Sequence, residues 1–145
     1  MKFADFYEGQ HITLGPVLVE KQAVIDFATQ WDPQWFHTDE AAADDGPFSG
    51  LIASGWHTCC MAMRLVADQV LKDSESFASP GMEKLQWLQP VRPGDELTVH
   101  LFIREVRRSQ KRPELGIIRW DWQVDKQNQS PVLKVDVTSM FRLPA

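Results

Sequence analysis

Basic residues are in the minority in this chain: fifteen Lys and Arg stand against twenty Asp and Glu, for a formal net charge of −5. Without a basic face, a general duplex-DNA or RNA binder held by phosphate contacts is excluded. Cysteine is scarce as well. Cys59 and Cys60 are adjacent, so they build no disulfide framework and supply no metal site of the usual ligand spacing. They read as two small buried apolar residues. Long apolar runs are missing. The longest stretch free of formal charge, between Asp45 and Arg64, contains Gly46, Pro47, Ser49, Gly50, Ser54, Gly55, His57 and Thr58. It is too polar and broken for a membrane span. No apolar run follows Met1-Lys2-Phe3-Ala4-Asp5, so no signal peptide is expected and a cytoplasmic protein is the default. Tyrosine occurs once against six tryptophans, which leaves most of the aromatic area to the bulkiest side chain. Repeats and low-complexity tracts are absent.

What is present fits one globular domain over residues 1–145, with 43% hydrophobic and 24% charged residues. A chain this short cannot hold a cofactor domain beside a substrate domain. From Glu20 to Trp31, the residues Ala23, Val24, Phe27, Ala28 and Trp31 fall at helical spacing, and Asp32-Pro33 stops the helix. Thr38-Asp39-Glu40 before Ala41-Ala42-Ala43 reads as a capped short helix. Ser54 to Leu71 is the most apolar helix candidate, with Trp56, Cys59, Cys60, Met63, Val66, Ala67 and Val70 on its strongest face. That helix is expected to be buried on most sides. After Pro80-Gly81 the period changes to two, over Glu96–Arg104, Ile118–Val124 and Leu133–Thr138, with a shorter strand around Lys84–Leu88. The expectation is an α+β fold: a curved antiparallel sheet, one face buried, wrapped around the apolar helix. Helix inside and sheet around it is the hotdog arrangement, although periodicity alone also permits other α+β sandwiches.

The segment Trp31-Asp32-Pro33-Gln34-Trp35-Phe36-His37-Thr38-Asp39 places a carboxylate and an imidazole on either side of a proline break. In a loop leaving a helix, Asp32 and His37 can converge on one point and serve as an acid–base pair. Equally, Asp-Pro is a common helix stop and the histidine can simply bond its loop. Small residues in Gly50-Leu51-Ile52-Ala53-Ser54-Gly55-Trp56-His57 leave the first N–H groups of the apolar helix unshielded. They offer donors to a carbonyl that gains negative charge; alternatively, Ser54 caps the helix and Gly55 permits close packing. Pro90-Val91-Arg92-Pro93-Gly94-Asp95 reads as a turn that fixes strand register. Arg104, Arg107, Arg108, Lys111 and Arg112 form a local basic cluster, either a phosphate-binding patch or a solvated hairpin tip.

Asp32 and His37 after a helix, a glycine opening an apolar helix, then Pro-Val-x-Pro-Gly-Asp before a strand resemble the MaoC-like dehydratases, hotdog relatives of the (R)-specific enoyl-CoA hydratases. The resemblance runs from Phe6-Tyr7-Glu8-Gly9-Gln10 to Phe141. Within it, Trp31 stands where that pattern has glycine, Gln34 where it has asparagine, and Ser54 where a histidine precedes the glycine. The resemblance implies reversible hydration of an enoyl thioester, with Asp32, His37 and Gly55 catalytic and no metal or redox cofactor. Gln34, Trp35, Phe36, Ser54 and Trp56 are candidate substrate contacts, and Arg108 and Lys111 candidate contacts for the phosphates of a coenzyme A carrier. It also implies a homodimer, and a sheet wrapped on one helix leaves strand edges for a second copy to cover. Two rival functions are a hotdog thioesterase and a non-catalytic acyl-CoA sensor.

Overall fold

Period-two stretches become long strands, and together with four helices they account for most of a computed structural model that describes residues 1–144. In chain order these are β1 (His11–Leu18), α1 (Lys21–Trp31), α2 (Trp35–Thr38), α3 (Glu40–Asp44), α4 (Gly55–Val66), β2 (Ser76–Trp87), β3 (Glu96–Arg108), β4 (Leu115–Asp125) and β5 (Pro131–Arg142). The strands form one antiparallel sheet in the order β1-β3-β4-β5-β2.

Alternation decides which face is covered. Leu97, Val99, Leu101 and Ile103 of β3, Ile118, Trp120 and Val124 of β4, and Leu133, Val135 and Val137 of β5 are buried. Their neighbours Phe102, Arg104 and Lys134 face outward. Ala62 and Val66 of α4 and Val70 beyond it join the same core. Each fully buried Leu, Ile or Val there contributes roughly 1.5–3 kcal/mol relative to exposure. Trp120 is fully buried, and its indole N–H is satisfied by Ser139 Oγ at 3.1 Å. The helix-inside, sheet-outside arrangement is the hotdog fold that the sequence predicts.

Several particulars differ. The buried face of α4 is His57, Thr58, Ala62 and Val66, whereas Trp56, Cys60 and Met63 are exposed and Cys59 is half-buried. The expected apolar face is thus only partly covered: Val66 and Val70 are in the core, while Cys59, Cys60 and Met63 border an open cavity against the sheet. The helix ends at Val66 and closes with a π-helical turn over Ala67–Leu71. Asp39 is the cap of α3, accepting from the Ala42 N–H at 3.0 Å. Strand β2 starts at Ser76, well before Lys84, because an exposed edge strand with Pro80 in it shows no alternation. Strand β1 carries Gly15-Pro16, which hides it as a strand. Here the register slips between Leu14 and Val17, and Gly15 has φ +98° with its α-carbon pressed on the Leu97 carbonyl. A methyl there would lie 2.9 Å from that oxygen, so only glycine fits. Among the described residues no helix is long and apolar enough to cross a membrane.

Candidate active site

Proline ends α1 where the sequence predicts, and the chain then turns sharply. The Gln34 N–H donates to the Asp32 carbonyl at 2.8 Å and the His37 N–H to the Gln34 carbonyl at 3.0 Å. The turn starts the short α2, which carries His37 back toward the end of α1. His37 Nε2 thereby comes within 3.3 Å of Asp32 Oδ2, with both side chains largely buried.

Two further donors fix the carboxylate. Gln34 Nε2 donates to Oδ1 at 2.6 Å, and Ser54 Oγ donates to Oδ2 at 2.7 Å. These bonds, that of Gln34 foremost, hold the Asp32 carboxyl below the usual carboxylate range, with a smaller contribution from the attraction of His37. Ser54 is fully buried and makes no cap for α4; its hydroxyl is spent on Asp32. The capping role expected of it is thus replaced by an electrostatic one.

The opposite nitrogen of His37 settles its tautomer. Nδ1 lies 2.7 Å from the Ile52 carbonyl, which can only accept, so Nδ1 carries the proton. In the neutral ring Nε2 is then a bare lone pair facing a carboxylate oxygen. Two acceptors 3.3 Å apart have no proton between them, so they suit a donor with two O–H groups. The arrangement can hold a water and remove its proton.

His37 also lines a cavity of about 290 Å³, together with Gly55, Thr58, Trp87, Leu88 and Val91. Gly55 is the first residue of α4, so its N–H has no acceptor within the helix. The Trp87 indole lies directly against its α-carbon, where any side chain would collide. Trp87 in turn meets Trp56 edge to face, centroids 5.2 Å apart. A polar corner made of an imidazole and a free helix N-terminus therefore opens onto apolar walls.

The other sequence-derived candidates fall into four places. Gln34 and Ser54 hold Asp32 behind the cavity. Phe36 packs on the His37 ring at 4.3 Å and Trp35 on Phe36 at 5.4 Å, so both brace the imidazole and neither lines the cavity. Trp56 reaches it only through Trp87. The structure does not bring Arg108 and Lys111 to it: they sit at the β3–β4 turn, while the cavity lies at the other end of the sheet. The nine residue steps from Val99 to Arg108 span about 30 Å. Arg108 donates to the carbonyls of Pro113 and Pro144 at 3.0 and 3.2 Å. Arg104, Arg107 and Arg112 are paired with Asp121, Glu105 and Glu114. The cluster is largely a set of surface ion pairs.

Sequence reasoning missed Trp87, Leu88 and Val91. Their signal was adjacency to the Pro90–Asp95 turn, which does more than set register. The Ala53 N–H donates to the Val91 carbonyl at 2.7 Å, and Gly94 and Val19 exchange backbone bonds across the turn, Gly94 N–H to Val19 O and Val19 N–H to Asp95 O, both 2.8 Å. The turn fastens the segment before α4 to the start of β3.

This combination of sheet, helix and Asp–His pair has a family. A model described as MaoC like domain matches residues 5–118, and the chain belongs to that family. A MaoC-like dehydratase from Rhodospirillum rubrum is 34% identical, with a TM-score of 0.87 over 98% of this chain and 97% of that one. The uncharacterized protein YdeM of Bacillus subtilis is 33% identical over 118 residues, 81% of this chain and 82% of its own. The (R)-hydratase from A. caviae involved in PHA biosynthesis, 21% identical with a TM-score of 0.77 over 96% of this chain and 98% of that one, shares the fold.

Proposed function

We propose that this protein is a hydro-lyase that adds water reversibly to a 2-enoyl thioester, giving a 3-hydroxyacyl thioester, with coenzyme A as the carrier. The observation that carries this reading is the pairing of His37 Nε2 with Asp32 Oδ2, 3.3 Å apart, beside an apolar cavity and a free helix N-terminus. Family membership and the R. rubrum dehydratase support it.

In the hydration direction, water donates one hydrogen bond to His37 Nε2 and one to Asp32 Oδ2. Its oxygen forms a bond to the β-carbon while one proton passes to this pair. The π electrons of the enoyl group move toward the thioester, and the Gly55 N–H stabilises the negative charge that develops on its oxygen. The pair then returns a proton to the α-carbon, so the enzyme regains its starting state. Gln34 and Ser54 keep Asp32 ionised, and the Ile52 carbonyl keeps the His37 lone pair on Nε2. These residues need no metal or redox group for any of these steps.

Asp32→Asn and His37→Ala should each lower the rate of enoyl absorbance loss by about 10²-fold or more, with little change in thermal stability. Release of free thiol in place of hydration would identify a thioesterase, and acyl-CoA binding without turnover a sensor. A cavity of about 290 Å³, walled partly by Trp87, lies at the small end of the range of roughly 300–1,000 Å³ common for small-molecule sites. Short acyl groups should therefore be preferred. Crotonyl thioester should turn over faster than decenoyl thioester, and the reverse order would refute the size argument.

A second copy of the chain fits the same reading. Trp56 and Met63 on α4 and Phe77, Met82 and Trp87 on β2 are each 42–57% exposed. They flank an apolar cavity of about 460 Å³ between α4 and the β2–β5 side of the sheet. Such a surface beside an unpaired edge strand is suited to burial in a homodimer.

A further inference from the structure

Outside the cavity, the sheet carries a second group of titratable side chains, on its outer face between β1 and β3. The register pairs Thr13 with His100 and His11 with Phe102, so all four side chains stand on one surface. His11 Nε2 and His100 Nδ1 are 2.9 Å apart, and Thr13 Oγ1 is 3.4 Å from each. We propose that His11, His100 and Thr13 bind a divalent first-row transition-metal ion of the Zn²⁺ or Cu²⁺ class, with Asp125 as the positioning residue for His100.

Three observations carry this. The first is spacing. Ligand atoms about 2.0–2.1 Å from an ion are separated by about 3.3 Å in a tetrahedral arrangement and about 2.9 Å in an octahedral one. The 2.9, 3.4 and 3.4 Å sides of the His11–His100–Thr13 triangle lie at those values. The second is orientation. Asp125 Oδ2 sits 3.3 Å from His100 Nε2, and the carboxylate is itself buried, with Oδ1 accepting from Gln123 Nε2 at 2.9 Å. The proton of neutral His100 is thereby drawn to Nε2, and the lone pair of Nδ1 is left facing His11 and Thr13. A carboxylate behind a ligating imidazole fixes the ring and raises its basicity. The third is rigidity. His11 stacks on Phe102, centroids 4.5 Å apart and planes 15° from parallel, so its ring direction is set before any ion arrives.

Imidazole donors with one neutral oxygen select zinc, copper or nickel over calcium and magnesium. No three His, Cys, Asp or Glu side chains among the described residues are grouped to hold an ion, so this site has two imidazoles and a hydroxyl, with water completing the shell. In the metal-free state His11 Nε2 carries the proton shared with His100. On binding, that proton moves to His11 Nδ1 and the ion takes its place; nothing is oxidised or reduced. The site lies on the opposite face of the sheet from α4 and takes no part in the proposed hydration.

The test is a titration of the chelator-treated full-length protein with zinc chloride, followed by calorimetry, and paramagnetic resonance of the copper form. We expect one ion per chain, and two coordinated nitrogens in the copper spectrum. His11→Ala and His100→Ala should each weaken binding by at least tenfold, and Asp125→Asn by about tenfold, while His37→Asn leaves it unchanged. His11→Gln, an exposed and conservative change, repeats the first of these should His11→Ala fail to fold. Zinc should also raise the Tm of the wild type but not of His11→Gln. An affinity indifferent to His11→Gln, loss on His37→Asn alone, a one-nitrogen spectrum, or no bound zinc at all would overturn the proposal.

Discussion

His57 is buried on α4, stacked flat on Phe27 with centroids 4.7 Å apart, and its Nδ1 has no partner. Burial lowers its pKa below the ordinary histidine value, because a charged ring there would be poorly solvated. The unfolded chain therefore binds a proton more readily than the folded one. The stability that the neutral ring contributes is complete above about pH 6.5 and drains away as pH falls from there toward the lower folded value. Replacing it by glutamine should reduce the difference in Tm between pH 7.5 and 5.5; an identical pH dependence in His57→Gln would refute this. Asp32 is also held below its ordinary value, but for the opposite reason, since its bonds stabilise the charged form; its contribution too is lost as pH falls. At this scale Asp32 and His37 were legible in the sequence as a pair around a proline. Ser54 was legible as a polar residue at a helix start, but not its partner, because Asp32 and Ser54 meet only once α1 and α4 are packed.

Helix α4 and the end of β2 are joined by one contact that tests how the cavity is built. A β-carbon added at Gly55 would overlap the Trp87 indole. Gly55→Ala should destabilise the wild type by about 1–3 kcal/mol through this clash. In a Trp87→Ala background the clash is gone, and alanine's helix propensity should make the same change neutral or stabilising by up to about 1 kcal/mol. Chemical denaturation of the four proteins closes the cycle; equal costs in both backgrounds would show that the ring does not rest there. Elements of strong period were read correctly: α1, and the three central strands with Leu97 to Ile103, Ile118 to Val124 and Leu133 to Val137 facing inward. Of the two edge strands, β1 was not anticipated and β2 only in its last part, around Lys84–Leu88. Gly15-Pro16 in β1 and Pro80-Gly81 in β2 are tolerated because an edge has one side without hydrogen bonds, and that freedom erases the pattern used to find strands. Helix α4 was read as a helix, and Val66 and Val70 of its expected face are buried, but Trp56, Cys60 and Met63 of that face are exposed.

The exposed part of that face is a matter for the whole molecule. Trp56 and Met63 belong to the most apolar face of α4, and a single chain leaves them 56% and 42% exposed. Solvent-facing groups this large, beside a free strand edge, make this the surface on which the proposed second copy is to be tested. Sedimentation of the wild type should give twice the chain mass, and Met63→Glu combined with Met82→Glu should give a folded monomer. A wild type that sediments as one chain would rule the homodimer out. Small size alone led to the expectation of a partner. It could not say which surface, because amphipathic spacing measures how apolar a helix face is, not which of two apolar surfaces lies against it.

The turn at Pro90–Asp95 binds the cavity to the sheet at several backbone positions, Ala53 to Val91, and Val19 to both Gly94 and Asp95. These bonds tie the chain on both sides of the cavity to the start of β3, so the cavity takes its shape from the sheet rather than from the segments that carry its residues.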